Sequence, residues 1–61
     1  MTESKKLVLL RDKLIRRRRE IVEHLQTSFD LAGGDDLARI QSAIDAVAKA
    51  ITEEEYAEFH P

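Results

Sequence analysis

The chain has 61 residues, no cysteine, 36% charged residues and a formal net charge of -2. A chain of this length buries only about 60% of the surface that it exposes when unfolded, so its stability depends on regular helix packing or on self-association. The lack of cysteine excludes disulfides, zinc ribbons and thiol chemistry. The longest apolar run, LVLL at residues 7–10, is too short for a signal peptide or a membrane span. We therefore expect a cytoplasmic protein with no membrane partner.

Charge is distributed unevenly along the chain. Residues 1–26 carry eight basic and four acidic side chains, a net charge of +4. Residues 27–61 carry two basic and eight acidic side chains, a net charge of -6. Because the two halves are electrostatic complements, the simplest prediction is that each half binds the other.

Apolar residues recur at helical spacing over the first half of the chain. This stripe predicts a helix over residues 4–30, which Thr2 or Ser4 can cap. The segment AGGDD predicts a Gly-Gly turn over residues 32–35. The apolar stripe consists of Leu7, Leu10, Leu14, Ile21, Leu25 and Phe29.

The second apolar stripe has the alternating three- and four-residue steps of a coiled-coil seam. It predicts a helix over residues 36–51, and the alanines on its flanks allow a neighbouring helix to approach closely. The seam consists of Leu37, Ile40, Ile44, Val47 and Ile51.

The last segment carries its own helix-start signal. Thr52 and Glu55 match a capping box, and Ile51 and Tyr56 stand at the positions of a hydrophobic staple. We therefore predict a separate short helix over residues 53–60. The alternative is one continuous helix over residues 36–59.

These elements predict an all-α fold, in which an antiparallel helical hairpin and a short C-terminal helix form a single domain over residues 1–61. Because two helices bury little surface, we expect a homodimer that forms a four-helix bundle with coiled-coil-like packing. Leu9 and the alanine-lined flanks of the second helix are candidate contacts. The layout resembles that of the small plasmid RNA-binding hairpins of the Rop type, a resemblance of outline that transfers no residues.

Four consecutive arginines, Arg16–Arg19, cannot share one face of a helix, because they sweep most of its circumference. Arg18 lies on the apolar stripe, and so does Arg11 one heptad earlier. A charge on an apolar stripe needs a partner or a route to water. In an antiparallel hairpin with the predicted turn, residues that lie opposite each other on the two helices have numbers that add to about 66. This register brings Arg11 near the TEEE segment and Arg18 near Asp45 or an acid of a second subunit. The predicted register-fixing residues are Arg11, Arg18, Asp45 and Glu55.

The outer basic residues of the first helix support an alternative function. Interleaved acids, the negative net charge and the scarcity of aromatics disfavour nucleic-acid binding. Paired first helices in a dimer would nevertheless bring two basic ridges together. The candidate nucleic-acid ridge consists of Lys13, Arg16, Arg17 and Arg19.

No catalytic or metal-binding pattern is apparent in the sequence. Glu20 and His24 provide at most half of a metal site, and the acids at 53–55 lack the spacing of a calcium loop. We expect no enzymatic activity, no cofactor, no metal and no small-molecule ligand. The leading hypothesis is a small interaction or structural module that acts by self-association or through a helical protein partner. The alternative is an RNA- or DNA-binding regulator.

Overall fold

The computed structural model describes residues 2–60, and these form two helices that pack as an antiparallel hairpin. Helix α1 spans Glu3–Thr27 and helix α2 spans Leu31–Phe59. Residues 28–30 connect them. The hairpin is elongated, with principal extents of 48 × 17 × 11 Å. The predicted all-α helical hairpin is confirmed.

The first residues of α1 contact the last turns of α2 at the end of the hairpin opposite the turn, which we call the open end. The side chain of Thr2 accepts a hydrogen bond from the backbone N–H of Lys5 and is the N-cap of α1. Ser4 lies inside α1 and is buried. Its Oγ donates to Oε1 of Glu58 at 2.8 Å, so the two chain ends are held together by a hydrogen bond from a buried hydroxyl to a carboxylate.

The connection between the helices lies earlier than predicted. The predicted first helix over residues 4–30 is present but ends three residues earlier, at Thr27. The predicted Gly-Gly turn over residues 32–35 is wrong, because both glycines lie in the first turns of α2. Asp30 is the N-cap of α2 and its side chain accepts from the backbone N–H of Gly33. An aspartate that satisfies a free N–H starts a helix more effectively than a glycine pair ends one.

The predicted division of the second half is also wrong. Helix α2 continues without a break where separate helices over residues 36–51 and 53–60 were expected, so its course matches the continuous alternative. Thr52 Oγ1 donates to the carbonyl of Ala48 at 3.2 Å instead of capping a new helix. Ile51 is 5% exposed and belongs to the core. Its burial and the uninterrupted backbone hydrogen bonds outweigh a local capping motif, which is worth about 1 kcal/mol.

The core of the hairpin is small. In the described part of the chain, the buried apolar side chains are Ile21, Ile44 and Ile51, which are 7%, 7% and 5% exposed. The hairpin exposes 4798 Å², whereas a compact monomer of this mass would expose about 4,000 Å². Two helices therefore leave a substantial part of their apolar surface uncovered.

The two glycines of α2 offer a matched test of this helix start. A Cβ at Gly34 would meet nothing within 4 Å, whereas at Gly33 it would lie 2.8 Å from Leu25 Cδ2 and 3.0 Å from Asp30 Oδ1. Because alanine loses less backbone entropy on folding, Gly34→Ala is expected to raise the free energy of unfolding by about 0.5–1 kcal/mol. Gly33→Ala is expected to give no gain or a loss, since the capping carboxylate must shift.

Urea unfolding, followed by circular dichroism at one fixed protein concentration, measures both changes. Equal gains from the two substitutions would contradict the position of Gly33 against Leu25 and the Asp30 cap.

Candidate interaction surface

The line along which α1 contacts α2 runs between two apolar rows. In α1 the residues on this line recur every seven positions, and all of them are buried or half-buried. Leu7 and Leu14 lie on one side of the line, and Val8 and Ile15 lie on the other, each about 50° away. The residues of the line itself are Ser4, Arg11, Arg18 and Leu25. The hairpin therefore has two different faces.

One face carries a polar chain that links the helices, and we call it the network face. Arg18 Nη1 donates to Oε1 of Gln41 at 2.9 Å, and Nε2 of Gln41 donates to Oδ1 of Asp45 at 3.0 Å. Arg18 therefore reaches Asp45 through an amide and not by a direct ion pair, which is one of the two alternatives that the sequence predicts; the other is an acid of a second subunit. Sequence reasoning missed Gln41, although its position four residues before Asp45 makes it a helical neighbour of that carboxylate.

The predicted bridge between Arg11 and the TEEE segment is wrong. Arg11 Nη2 lies 3.8 Å from Asp12 Oδ1 on its own helix, and its side chain is 38% exposed and so reaches water. Glu55 instead lies in a shallow cleft with Ser4 and Lys5. Because the turn comes early, the numbers of the observed pairs Arg18–Gln41 and Ser4–Glu58 add to 59 and 62, not to 66. This shift in register moves the acidic segment past Arg11 toward the start of α1.

The cross-helix chain gives a prediction about stability. Gln41→Leu leaves the half-buried guanidinium of Arg18 without its acceptor, and we expect the free energy of unfolding to fall by about 1 kcal/mol. Gln26→Leu is the matched control, because Gln26 is exposed on α1, and it should change stability by less than about 0.5 kcal/mol. Thermal and urea unfolding at equal concentrations compare the two. A loss of the same size in both would contradict a stabilising role for the Arg18–Gln41 bond.

The other face is apolar, and we call it the leucine–alanine face. Leu10 is 45% exposed on it, and its remaining members are half-buried. The face consists of Leu7, Leu10, Leu14, Ala43, Val47 and Ala50.

A groove near the turn establishes that these residues from the two helices share one side of the hairpin. Arg17 from α1 and Asp36 from α2 line this groove together. Arg17 follows Leu10 by seven positions and Asp36 precedes Ala43 by seven, so each pair lies on one row of its helix. The leucine row (Leu7, Leu10 and Leu14) and the alanine row (Ala43, Val47 and Ala50) therefore flank the contact line on the same side.

Charged side chains bound the leucine–alanine face at its turn end. Arg17 Nη1 lies 3.0 Å from Glu20 Oε2, and His24 Nε2 lies 3.7 Å from Asp30 Oδ2. These polar groups lie on the exposed rim, where ion pairs contribute little to stability. The apolar part of the face therefore extends from the middle of the hairpin toward its open end.

The candidate nucleic-acid ridge is not gathered into one patch. All four of its residues are exposed, but Arg17 lies beside the leucine–alanine face and Arg19 lies about 160° away around α1. Glu20 and Glu23 lie between these directions on the same helix. The residues of the ridge are Lys13, Arg16, Arg17 and Arg19.

Large apolar side chains are also exposed at both ends of the hairpin. Phe29 and Leu31 lie at the turn, and Tyr56 and Phe59 lie at the end of α2. The rings of Tyr56 and His60 stack with their centroids 4.0 Å apart. These residues lie beyond the two ends of the leucine–alanine face.

Residues 2–60 contain no group of three histidine or acidic side chains placed to hold a metal ion. In the same part of the chain, neither helix combines the length and the apolar character that crossing a membrane requires. Comparisons of the chain with known protein families, with curated proteins and with solved structures found no match.

Proposed function

We propose that the protein is a small non-enzymatic interaction module that works by self-association. Two hairpins pack their leucine–alanine faces together and form a four-helix bundle. The observation that supports this proposal is the partly exposed row of Leu7, Leu10 and Leu14, in which Leu10 is 45% exposed, beside the alanine row of α2, in a hairpin whose core holds only three buried apolar side chains among the described residues.

The dimensions of the hairpin fit this role. Its broad face, with the charged rim at the turn end included, measures 48 by 17 Å, or roughly 800 Å² per copy, which is about the area that each partner contributes to a standard stable interface. Covering this face would remove the leucines from water and give each helix two neighbours, as in other four-helix bundles. A pair of hairpins therefore supplies the core that one hairpin lacks.

The complementary charges of the two helices favour a second copy over an unrelated helical partner. Helix α1 carries eight basic and four acidic residues, and α2 carries two basic and seven acidic residues. A second copy brings both signs of charge to the interface. An unrelated helix would have to match a basic surface and an acidic surface side by side.

Nucleic-acid binding is the second candidate function. Exposed Lys13, Arg16 and Arg19 favour it, since no carboxylate lies within 4 Å of them in the described part of the chain. Their spread around α1 and the neighbouring Glu20 and Glu23 disfavour it. Self-association accounts for the apolar face, which nucleic-acid binding does not.

Sedimentation equilibrium at low micromolar concentration tests the proposal. We expect a mass twice that of the 7.0 kDa chain, at salt concentrations from about 0.05 to 0.5 M, because an apolar interface is not screened by salt. A monomer at every concentration would overturn the proposal. Binding of a labelled RNA or DNA duplex that weakens steeply with salt would support the second candidate instead.

A further inference from the structure

We infer that the occupant of the leucine–alanine face is a second copy in a same-end arrangement, with both turns at one end of the bundle and α1 of each copy against α2 of the other. This inference rests on the proposed self-association and specifies its geometry.

Two face-to-face hairpins that are related by a two-fold axis have two possible orientations. If the axis runs along the helices, the turns meet at the same end and α1 packs on the α2 of the partner. If the axis runs across the helices, the turns lie at opposite ends, α1 packs on α1 and α2 packs on α2. The side chains on the face and the charges of the helices discriminate between these orientations.

Side-chain size favours the same-end arrangement. Within the hairpin, Leu10 lies at the level of Ala50, because observed cross-helix pairs have residue numbers that add to 59 and 62. A two-fold axis along the helices preserves this level, so Leu10 lies over the partner's Ala50. A large side chain then meets a small one at this level on both sides of the interface, so neither a cavity nor a clash forms there.

The opposite-end arrangement packs the same side chains unevenly. It places the leucine row of α1 on another leucine row, and the row of Ala43, Val47 and Ala50 in α2 on its own copy, where two of the three side chains are alanines. The helices would have to separate on one side and approach closely on the other. Two straight helix layers cannot lie far apart at the α1 pair and close together at the α2 pair and still form an evenly packed core.

Helix charge favours the same arrangement. The +4 charge of α1, eight basic less four acidic residues, lies against the -5 charge of the partner's α2, two basic less seven acidic residues. The opposite-end arrangement places like charges together on both sides. Neighbouring helix axes are about 8–10 Å apart, close to the Debye length of about 8 Å at physiological salt, so the effect selects the orientation more than it sets affinity.

Distance measurements between spin labels test the arrangement. The chain has no cysteine, so Ser28→Cys and Lys5→Cys each introduce one labelling site per copy. Ser28 lies in the turn, and Lys5 is exposed near the open end, beside Leu9 and away from the leucine–alanine face. Pulsed electron resonance on each labelled dimer then gives one distance between the two copies.

The same-end arrangement predicts a distance of roughly 15–30 Å at both sites, because the diagonal of a four-helix bundle is about 14 Å and the label linkers add the rest. The opposite-end arrangement separates each pair of labels toward the full 48 Å length of the hairpin.

Sedimentation of the unlabelled protein distinguishes failure of the proposed self-association from failure of the same-end arrangement alone. A monomer would overturn the proposed function and this inference with it. A dimer with long distances at both sites, or with short and long populations at either site, would leave self-association in place and overturn the same-end arrangement. If a label at one site disrupts the dimer, the distance at the other site decides.

Discussion

Leu10→Lys is expected to weaken self-association by about 100-fold, whereas Leu9→Lys should change it by less than about threefold. The two leucines are adjacent and similarly exposed, at 45% and 50%. Leu10 belongs to the leucine–alanine face, whereas Leu9, the candidate contact that the sequence suggested, lies on the far side of α1. A lysine in the centre of an apolar interface must be desolvated or must hold the two layers apart, which costs several kcal/mol. On the outer surface the same charge remains in water.

Sedimentation equilibrium over a range of concentrations gives the dimer dissociation constant of each variant. Circular dichroism at the same concentrations reports helix content, because folding and association are linked when the monomer has a small core. Loss of helix on dilution of Leu10→Lys, at concentrations where Leu9→Lys stays helical, would confirm the face. Equal weakening by the two lysines would contradict it.

The hairpin itself was predictable, because the apolar spacing of both halves is helical and each half has one wide apolar stripe. The position of the turn was not predictable from local signals, since they competed. Gly33 and Gly34 matched a helix end, but Asp30 caps α2 three residues before the first of them. Capping by a side chain and backbone hydrogen bonding are of similar strength, so the neighbouring helix decides between them.

The early turn also explains why the predicted polar contacts were only partly right. Arg18 was correctly placed against α2, because its position on the apolar stripe follows from spacing alone. Its partner depends on register, and the register shift puts Gln41 where an acid was expected. The same shift leaves Arg11 beside Asp12. The spacing of apolar residues thus predicts which residues face the other helix. To predict their contact partners, the length of the connection between the helices must also be known.

Sequence also could not show which side of the stripe lies beside the alanine row of α2. Val8 and Leu7 lie on opposite sides of the contact line at equal angles, and both are half-buried. Only the placement of α2 shows that the alanine row lies on the same side as Leu7 and Leu10. The candidate interface therefore becomes visible from the relation between the helices, not from either helix alone.

Mixing Leu10→Ala chains with Ala50→Leu chains is expected to produce heterodimers at least tenfold above the amount given by random pairing. In the same-end arrangement the Leu10→Ala homodimer holds two cavities, each costing about 2–5 kcal/mol if fully buried, and the Ala50→Leu homodimer holds two overpacked contacts of about 1–3 kcal/mol each. In the heterodimer, leucine meets alanine at both contacts. The native size match is thus restored only between unlike chains.

Native mass spectrometry measures the three dimers directly, because the variants differ in mass. Compensation between positions 10 and 50 within one chain cannot produce this result, since neither chain carries both substitutions. Ala48→Leu mixed with the unsubstituted protein is the matched control, because Ala48 is exposed on the network side of α2, and it should pair at random. Random pairing of the test variants would contradict contact between Leu10 and the partner's Ala50. In the opposite-end arrangement, residue 10 meets only α1 and residue 50 only α2, so unlike chains would have no reason to prefer each other.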